Sequence, residues 1–113
     1  MMLTRAVTAG DALTITPMAG GRGASLVGDV DLATAPVLEA ALNRLLAGDR
    51  DGDLHLDLAG LHFVDLSGVA VLVTAAFRLA PERALVVHDP PPALLQIVDR
   101  FWGGVARIRM DVS

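Results

Sequence analysis

Ser67 is the side chain best placed to do chemistry in this 113-residue chain. It lies in Phe63-Val-Asp-Leu-Ser-Gly-Val69, where a strand-like pattern hands over to a helical one. A serine beside an aspartate at that junction admits three readings: an acceptor of a phosphoryl group, a nucleophile, or a helix cap. A helix N-terminus leaves backbone N–H groups unpaired and carries partial positive charge, which favours a phosphoryl group. As a cap, the hydroxyl would contribute about 1 kcal/mol to the helix. A hydrolytic nucleophile needs a base and an oxyanion hole. Asp65-Leu-Ser-Gly68 is not the G-x-S-x-G turn, and His62 is only a neighbour in sequence. No enzyme activity is therefore expected.

Other candidate chemistry is sparse. His55 and His88 read as ordinary strand positions. Asp49, Asp51 and Asp53 alternate, but Gly52 precedes the third aspartate, and a calcium loop needs its glycine after it. The stretch reads as a solvated turn. Gly20-Gly-Arg-Gly23 lacks the Lys-Ser/Thr of a phosphate-binding loop and reads as a hairpin turn. With no cysteine, disulfides, thiolate chemistry and cysteine zinc sites are excluded. No metal and no cofactor is expected. A net charge of −4 argues against a nucleic-acid partner, which wants a basic face.

These residues must be positioned by a single domain, since 113 residues leave little room for a second. The chain is 53% hydrophobic, enough for a real core. Its longest apolar candidate, Val69 to Phe77, falls short of the roughly 18 residues that span a bilayer. The residues Met1 to Arg5 do not read as a secretory signal. A cytoplasmic protein without membrane insertion is expected.

Alternation predicts a strand over 12–18 and a second over 24–30, paired as a hairpin. A short strand around Leu3 to Val7 could precede them. Thr34 is placed to cap a helix with Pro36 in its first turn and Leu38, Ala41, Leu42, Leu45 and Leu46 on one stripe. Leu54, Leu56 and Leu58 mark a strand that Gly60 is expected to end. A helix from Ser67 should turn Val69, Leu72, Val73, Ala76 and Phe77 inward, and Pro81 closes it. A strand over 84–88 follows, then a helix after Pro92 with Leu94, Ile97, Val98 and Phe101 inward. Gly103-Gly104 breaks that helix, and a last strand runs from Val105 to Met110. Leu95 and Trp102 either widen the core-facing stripe or form an exposed patch for self-association. Strands alternating with helices imply parallel neighbours joined by right-handed crossovers. The expected fold class is α/β, a mixed β-sheet with an N-terminal hairpin followed by alternating helices and strands.

Two segments share a resemblance. Leu26-Val-Gly-Asp-Val-Asp-Leu-Ala-Thr-Ala-Pro36 resembles the G-E-[ILV]-D segment of the STAS domain, the bacterial anti-sigma factor antagonist family. Asp57-Leu-Ala-Gly-Leu-His-Phe-Val-Asp-Leu-Ser-Gly-Val69 resembles that family's phosphoacceptor segment. Val86 to Val98 is similar to its next strand and helix. The resemblance covers about residues 12–110, as the core of one STAS-like domain spanning 1–113. It implies an anti-sigma factor antagonist (an anti-anti-sigma factor) that binds a serine-kinase anti-sigma factor. In such proteins the kinase, which supplies the ATP, phosphorylates the serine at the start of the helix and so switches binding off. Ser67 occupies that position. By the same match Asp31 and Asp65 would be the acidic residues bordering the site, although Asp31 could instead hold N–H groups on the Thr34 side and Asp65 could be a loop carboxylate satisfying N–H groups before the helix; Asp29, Thr34, Leu66 and Gly68 beside them are the further expected partner-binding residues, with Leu66 standing where the family usually has Ser or Thr. The alternative is a STAS subunit that is not phosphorylated, serving a lipid transporter or a signalling scaffold.

Overall fold

Leu13 and Ile15 alternate with Thr14 and Thr16, and this pleat buries the two apolar residues completely. They belong to the second of six strands in the computed structural model, which describes residues 5–48, 52–103 and 107–111. The elements are β1 (Val7–Ala9), β2 (Leu13–Pro17), β3 (Gly23–Val30), α1 (Ala35–Ala47), β4 (Leu54–Val64), α2 (Leu66–Arg78), β5 (Leu85–His88), α3 (Pro92–Trp102) and β6 (Ile108–Asp111). Among the described residues the strands form one sheet in the order of the chain. β1, β2 and β3 are antiparallel neighbours, whereas β3 to β6 run parallel. The expected α/β class, with a mixed sheet and an N-terminal hairpin, is what the chain adopts.

The three crossovers β3–α1–β4, β4–α2–β5 and β5–α3–β6 all step the same way across the sheet. Right-handed crossovers stepping one way place their helices on one face. The apolar stripes of α1 (Leu38, Ala41, Leu42, Leu45) and α2 (Val69, Leu72, Val73, Ala76) are buried there, on Leu26, Leu54, Leu56, Leu58 and Leu85 of the sheet. The opposite face carries partly exposed polar residues, including Thr14, Ser25, His55, Asp57 and His88.

Gly60 does not end β4. The strand continues to Val64, and its inward residues are Leu54, Leu56, Leu58, Leu61 and Val64. The spacing changes from two to three because β4 carries two extra residues against β3. Ser25 pairs with Asp57 and Val27 with Gly60; Gly28 pairs with Leu61 and Asp29 with Phe63. Each bulge shifts the alternation by one position, which interrupts the period of two that Leu54, Leu56 and Leu58 set. Bulging keeps β4 in the sheet up to the residue before Asp65.

Other boundaries differ as well. The first strand starts at Val7, and residues 1–4 lie outside the described set, as do 49–51 of the acidic turn and 104–106 before β6. Phe77 was expected inward but is 59% exposed. At about 100° per residue it falls on the flank of the stripe that Leu72 and Ala76 centre. Phe101 follows the stripe by angle, yet it sits in the last turn, past the last buried residue Val98, and is 56% exposed. Leu95 is also exposed, whereas Trp102 packs partly against the core.

Helix α2 docks closely on β3 and β4 at Gly68. A Cβ there would lie 2.5 Å from Val30 Cγ1 and 2.9 Å from Val64 Cγ2. The absence of a side chain at this one position lets the first turn of α2 rest on the ends of both strands. Gly68→Ala should therefore destabilise the fold by about 1–3 kcal/mol through overpacking, despite alanine's better helix propensity. Urea unfolding of the variant would show this as a lower midpoint at an unchanged slope.

Candidate functional site

Strands β3 and β4 end side by side, with Val30 opposite Val64 and the Asp65 N–H donating to the Val30 carbonyl at 3.1 Å. The segments that leave these strands therefore begin as neighbours, at the carboxyl edge of the parallel sheet. One carries Asp31 and Thr34 into α1; the other carries Asp65 and Ser67 into α2.

The β3 segment is held by its own side chains. Asp31 Oδ1 accepts from the N–H groups of Ala33 at 2.9 Å and Thr34 at 3.0 Å. Thr34 occupies the expected cap position, but its hydroxyl makes no bond forward into α1. It turns back instead, donating to the Asp29 carbonyl and accepting from the Asp31 N–H, both at 2.9 Å. Thr34 is 4% exposed, so the hydroxyl works inside the turn. Asp31 thus takes the local role of holding N–H groups on the Thr34 side. Replacing Thr34 by valine would leave the Asp29 carbonyl and the Asp31 N–H without that partner, costing about 1–3 kcal/mol, readable as a lower thermal midpoint.

The β4 segment places Ser67 differently from a capping serine. Asp65 is the N-cap of α2, and Ser67 is the second residue of the helix. One oxygen, Asp65 Oδ1, accepts from the Ser67 N–H at 2.9 Å, the Gly68 N–H at 3.2 Å and the Ser67 hydroxyl at 2.5 Å. The Val69 N–H goes to the Asp65 carbonyl. The aspartate wins the cap because its short carboxylate reaches both N2 and N3 donors from an extended backbone. The first-turn N–H groups of Ser67, Gly68 and Val69 are therefore already engaged, and they do not form an open bed for an anion. The Ser67 hydroxyl lies beside a carboxylate.

The donated hydroxyl bond holds the Asp65 carboxyl below its ordinary value of 3.8; desolvation opposes this, and the backbone bonds from Gly68 and Ser67 add to the lowering. A carboxyl depressed in the folded state contributes stability above its unfolded value, and that stability is lost as pH falls from about 3.8 toward the folded value. Asp65→Asn keeps a capping oxygen but loses the charged acceptor, so it should lower the stability at neutral pH by about 0.3–1 kcal/mol and weaken its fall with acid below about pH 4. Denaturant midpoints measured from pH 7 to pH 3 would show the two proteins converging at the acid end.

Ser67 also borders an apolar groove of about 310 Å³ between α1 and α2, lined by Leu32, Ala35, Pro36, Glu39, Ala70 and Val71. Leu32 is 79% exposed and Leu66 is 45% exposed. Leu32, Glu39, Ala70 and Val71 were not singled out by motif. The signal was present nonetheless: Leu66, Ala70 and Val71 are apolar but fall off the inward stripe of α2. The expected residues Asp31, Thr34, Asp65, Leu66, Ser67 and Gly68 lie on these two neighbouring segments, and Asp29 is the second-to-last residue of β3 before them. Two of them, Thr34 and Gly68, are buried and act through packing or turn geometry. Among the described residues no group of three donors is placed to hold a metal ion, and no helix is long and apolar enough to cross a membrane.

Comparison with known proteins agrees with this architecture. The family model described as Mlab, STAS domain matches residues 23–102, from the start of β3 to the end of α3. A crystal structure of an anti-sigma factor antagonist from Mycobacterium paratuberculosis superimposes with a TM-score of 0.67 at 26% identity, covering 81% of this chain and 80% of that one. Apo-SiaC from Pseudomonas aeruginosa gives a TM-score of 0.60 at 13% identity, covering 97% of this chain and 99% of that one, and supports the fold. No curated protein sequence matches the chain. The family match spans both segments that meet at Ser67, and the chain belongs to the STAS-domain family, with the fold of an anti-sigma factor antagonist.

Proposed function

We propose that this protein is an anti-sigma factor antagonist of one domain over residues 1–113, acting in the cytoplasm as a non-enzymatic binding module. It binds an anti-sigma factor that is a serine kinase, and the kinase switches it off by phosphorylating Ser67 with ATP that the kinase brings. The observation that carries this reading is the setting of the Ser67 hydroxyl. It is half-buried, it donates to Asp65, and exposed Leu32 and Leu66 with the α1–α2 groove surround it.

Asp65 is an acceptor already aligned with the hydroxyl hydrogen, which suits a serine about to transfer that hydrogen. Once a phosphoryl group is attached, the hydroxyl has no hydrogen to donate. It carries about −1.5 to −2 charges at neutral pH beside a carboxylate. The neighbouring N–H groups are engaged by Asp65, so the phosphate projects toward solvent, where it meets the partner. An apolar partner surface seated on Leu32, Leu66 and the groove would have to desolvate that charge. Binding is lost while the sheet and core stay as they are. In this reading Leu66 adds apolar contact with the partner, Asp29, Asp31 and Thr34 shape the adjoining rim, and Gly68 sets how closely α2 approaches β3.

Isolation of the chain from its native cells, followed by titration of the co-purifying kinase, tests the proposal. Wild type and Ser67→Ala should bind with similar affinity, and Ser67→Asp should bind at least tenfold more weakly, which is about 1.4 kcal/mol. Equal binding of the Asp variant would refute the switch. Recovery of a membrane transporter complex instead of a kinase, with no effect of either substitution, would establish the non-phosphorylated subunit.

A further inference from the structure

The sheet ends at β6, and among the described residues no strand lies beyond it. The outer edge of such a strand is a row of backbone groups without a ladder partner. Two bonds show which residues own that edge. The Leu85 N–H donates to the Arg107 carbonyl at 2.7 Å, and the Asp89 N–H donates to the Asp111 carbonyl at 2.8 Å. Alternate residues of a strand turn their backbone groups the same way, so Arg107, Arg109 and Asp111 turn theirs toward β5. Ile108 and Met110 turn theirs outward. Side chains alternate as well. Ile108 and Met110 pack against the core, whereas the side chains of Arg109 and Asp111 are 63% and 60% exposed.

This edge is complementary to itself. Two copies joined by a two-fold axis along the same strand must pair antiparallel. An axis at Met110 sets the outward N–H and C=O of one Met110 against those of the other, as a hydrogen-bonded pair. The same axis sets Arg109 of each copy opposite Asp111 of the other. These are the non-hydrogen-bonded positions, where Cα atoms are about 4.5 Å apart and side chains meet most closely. An axis at Ile108 would set Arg107 opposite Arg109, and an axis at Arg109 or Asp111 would set each opposite its own copy. Like charges directly opposite destabilise a sheet, so only the Met110 register is favoured. Arg109 is bonded to Asp53 at 3.1 Å and Asp111 to His88 at 2.7 Å. A guanidinium has five donors and a carboxylate two oxygens, so each can serve a second partner.

Helix α3 adds apolar surface above this edge. Helices α2 and α3 cross the same face of the sheet in the same direction, so their corresponding flanks point the same way. Gly68, against Val30, marks the flank of α2 toward β3. At about 100° per residue, Ile97 has that position on α3, and Leu95 and Trp102 have the opposite one, toward the free edge. Leu95 is 37% exposed there. We propose that β6 is a self-association edge, on which a second copy of this chain pairs antiparallel about Met110 and joins the two sheets into one. Arg109 and Asp111 fix the register, and Leu95 and Trp102 flank the seam. The other edge, β1, is three residues long and carries no charge that would fix a register. The Ser67 sites, at the ends of β3 and β4, stay uncovered in this dimer.

Sedimentation velocity of the full-length protein over a range of concentrations, with charge-reversal variants, tests the proposal. The wild type should show a monomer–dimer equilibrium. Arg109→Asp sets carboxylates opposite each other in both pairs, and Asp111→Arg does the same with guanidinium groups. Each variant alone should dimerise about tenfold more weakly or worse. An equal mixture of the two variants should dimerise again, because each supplies the charge that the other lacks. Loss of a merely structural contact within one chain would not be repaired by mixing. A wild type that stays monomeric into the millimolar range, a dimer that survives both single substitutions, or a mixture no more dimeric than its components would overturn the proposal.

Discussion

One carboxylate oxygen governs this site. Asp65 Oδ1 gathers two backbone N–H groups and the Ser67 hydroxyl, and with them it fixes where α2 begins and where Ser67 points. Had Ser67 been the cap, its hydroxyl would have been turned into the helix backbone. With Asp65 in that role, the hydroxyl is an addition to a cap that is already complete. A modification of Ser67 then removes one of three bonds to the oxygen and leaves the two that define the helix start. In the proposed switch, a phosphoryl group on Ser67 would therefore change the surface charge without unfolding the domain.

The oxygen can act this way only because packing brings the helix to it. Val30 and Val64 end adjacent strands, the Asp65 N–H ties the second to the first, and Gly68 lets α2 rest against both valines. The two bulges in β4 contribute to the same result. They carry the strand on to Val64, so that Asp65 emerges beside Val30 and the Asp31 turn. Leu32, just beyond that turn, is then brought to the same groove as Ser67.

Much of this was legible in the sequence where the periods are regular. Leu13 and Ile15, the Leu38–Leu45 stripe and the Val69–Ala76 stripe all face the core as their spacing predicts. The order of elements then implied parallel strands and right-handed crossovers. Legibility failed where a local period was interrupted or where competing groups were equivalent by type. The bulges at Val27–Gly60 and Asp29–Phe63 displaced the alternation, so Gly60 looked like a terminus. Asp65 and Ser67 are both good capping residues, and only backbone geometry decides between them. His55 and His88 are 33 residues apart, and no local pattern announces that β4 and β5 place their rings in contact.

The account stands or falls on whether the Ser67 hydroxyl accepts a phosphoryl group in the cell. The direct measurement is phosphosite mapping by mass spectrometry on the protein isolated from its native cells. A phosphate on Ser67, absent from a parallel Ser67→Ala strain, is the predicted result. Protein that carries no phosphate at Ser67 under any growth condition, while still bound to its partner, would contradict it.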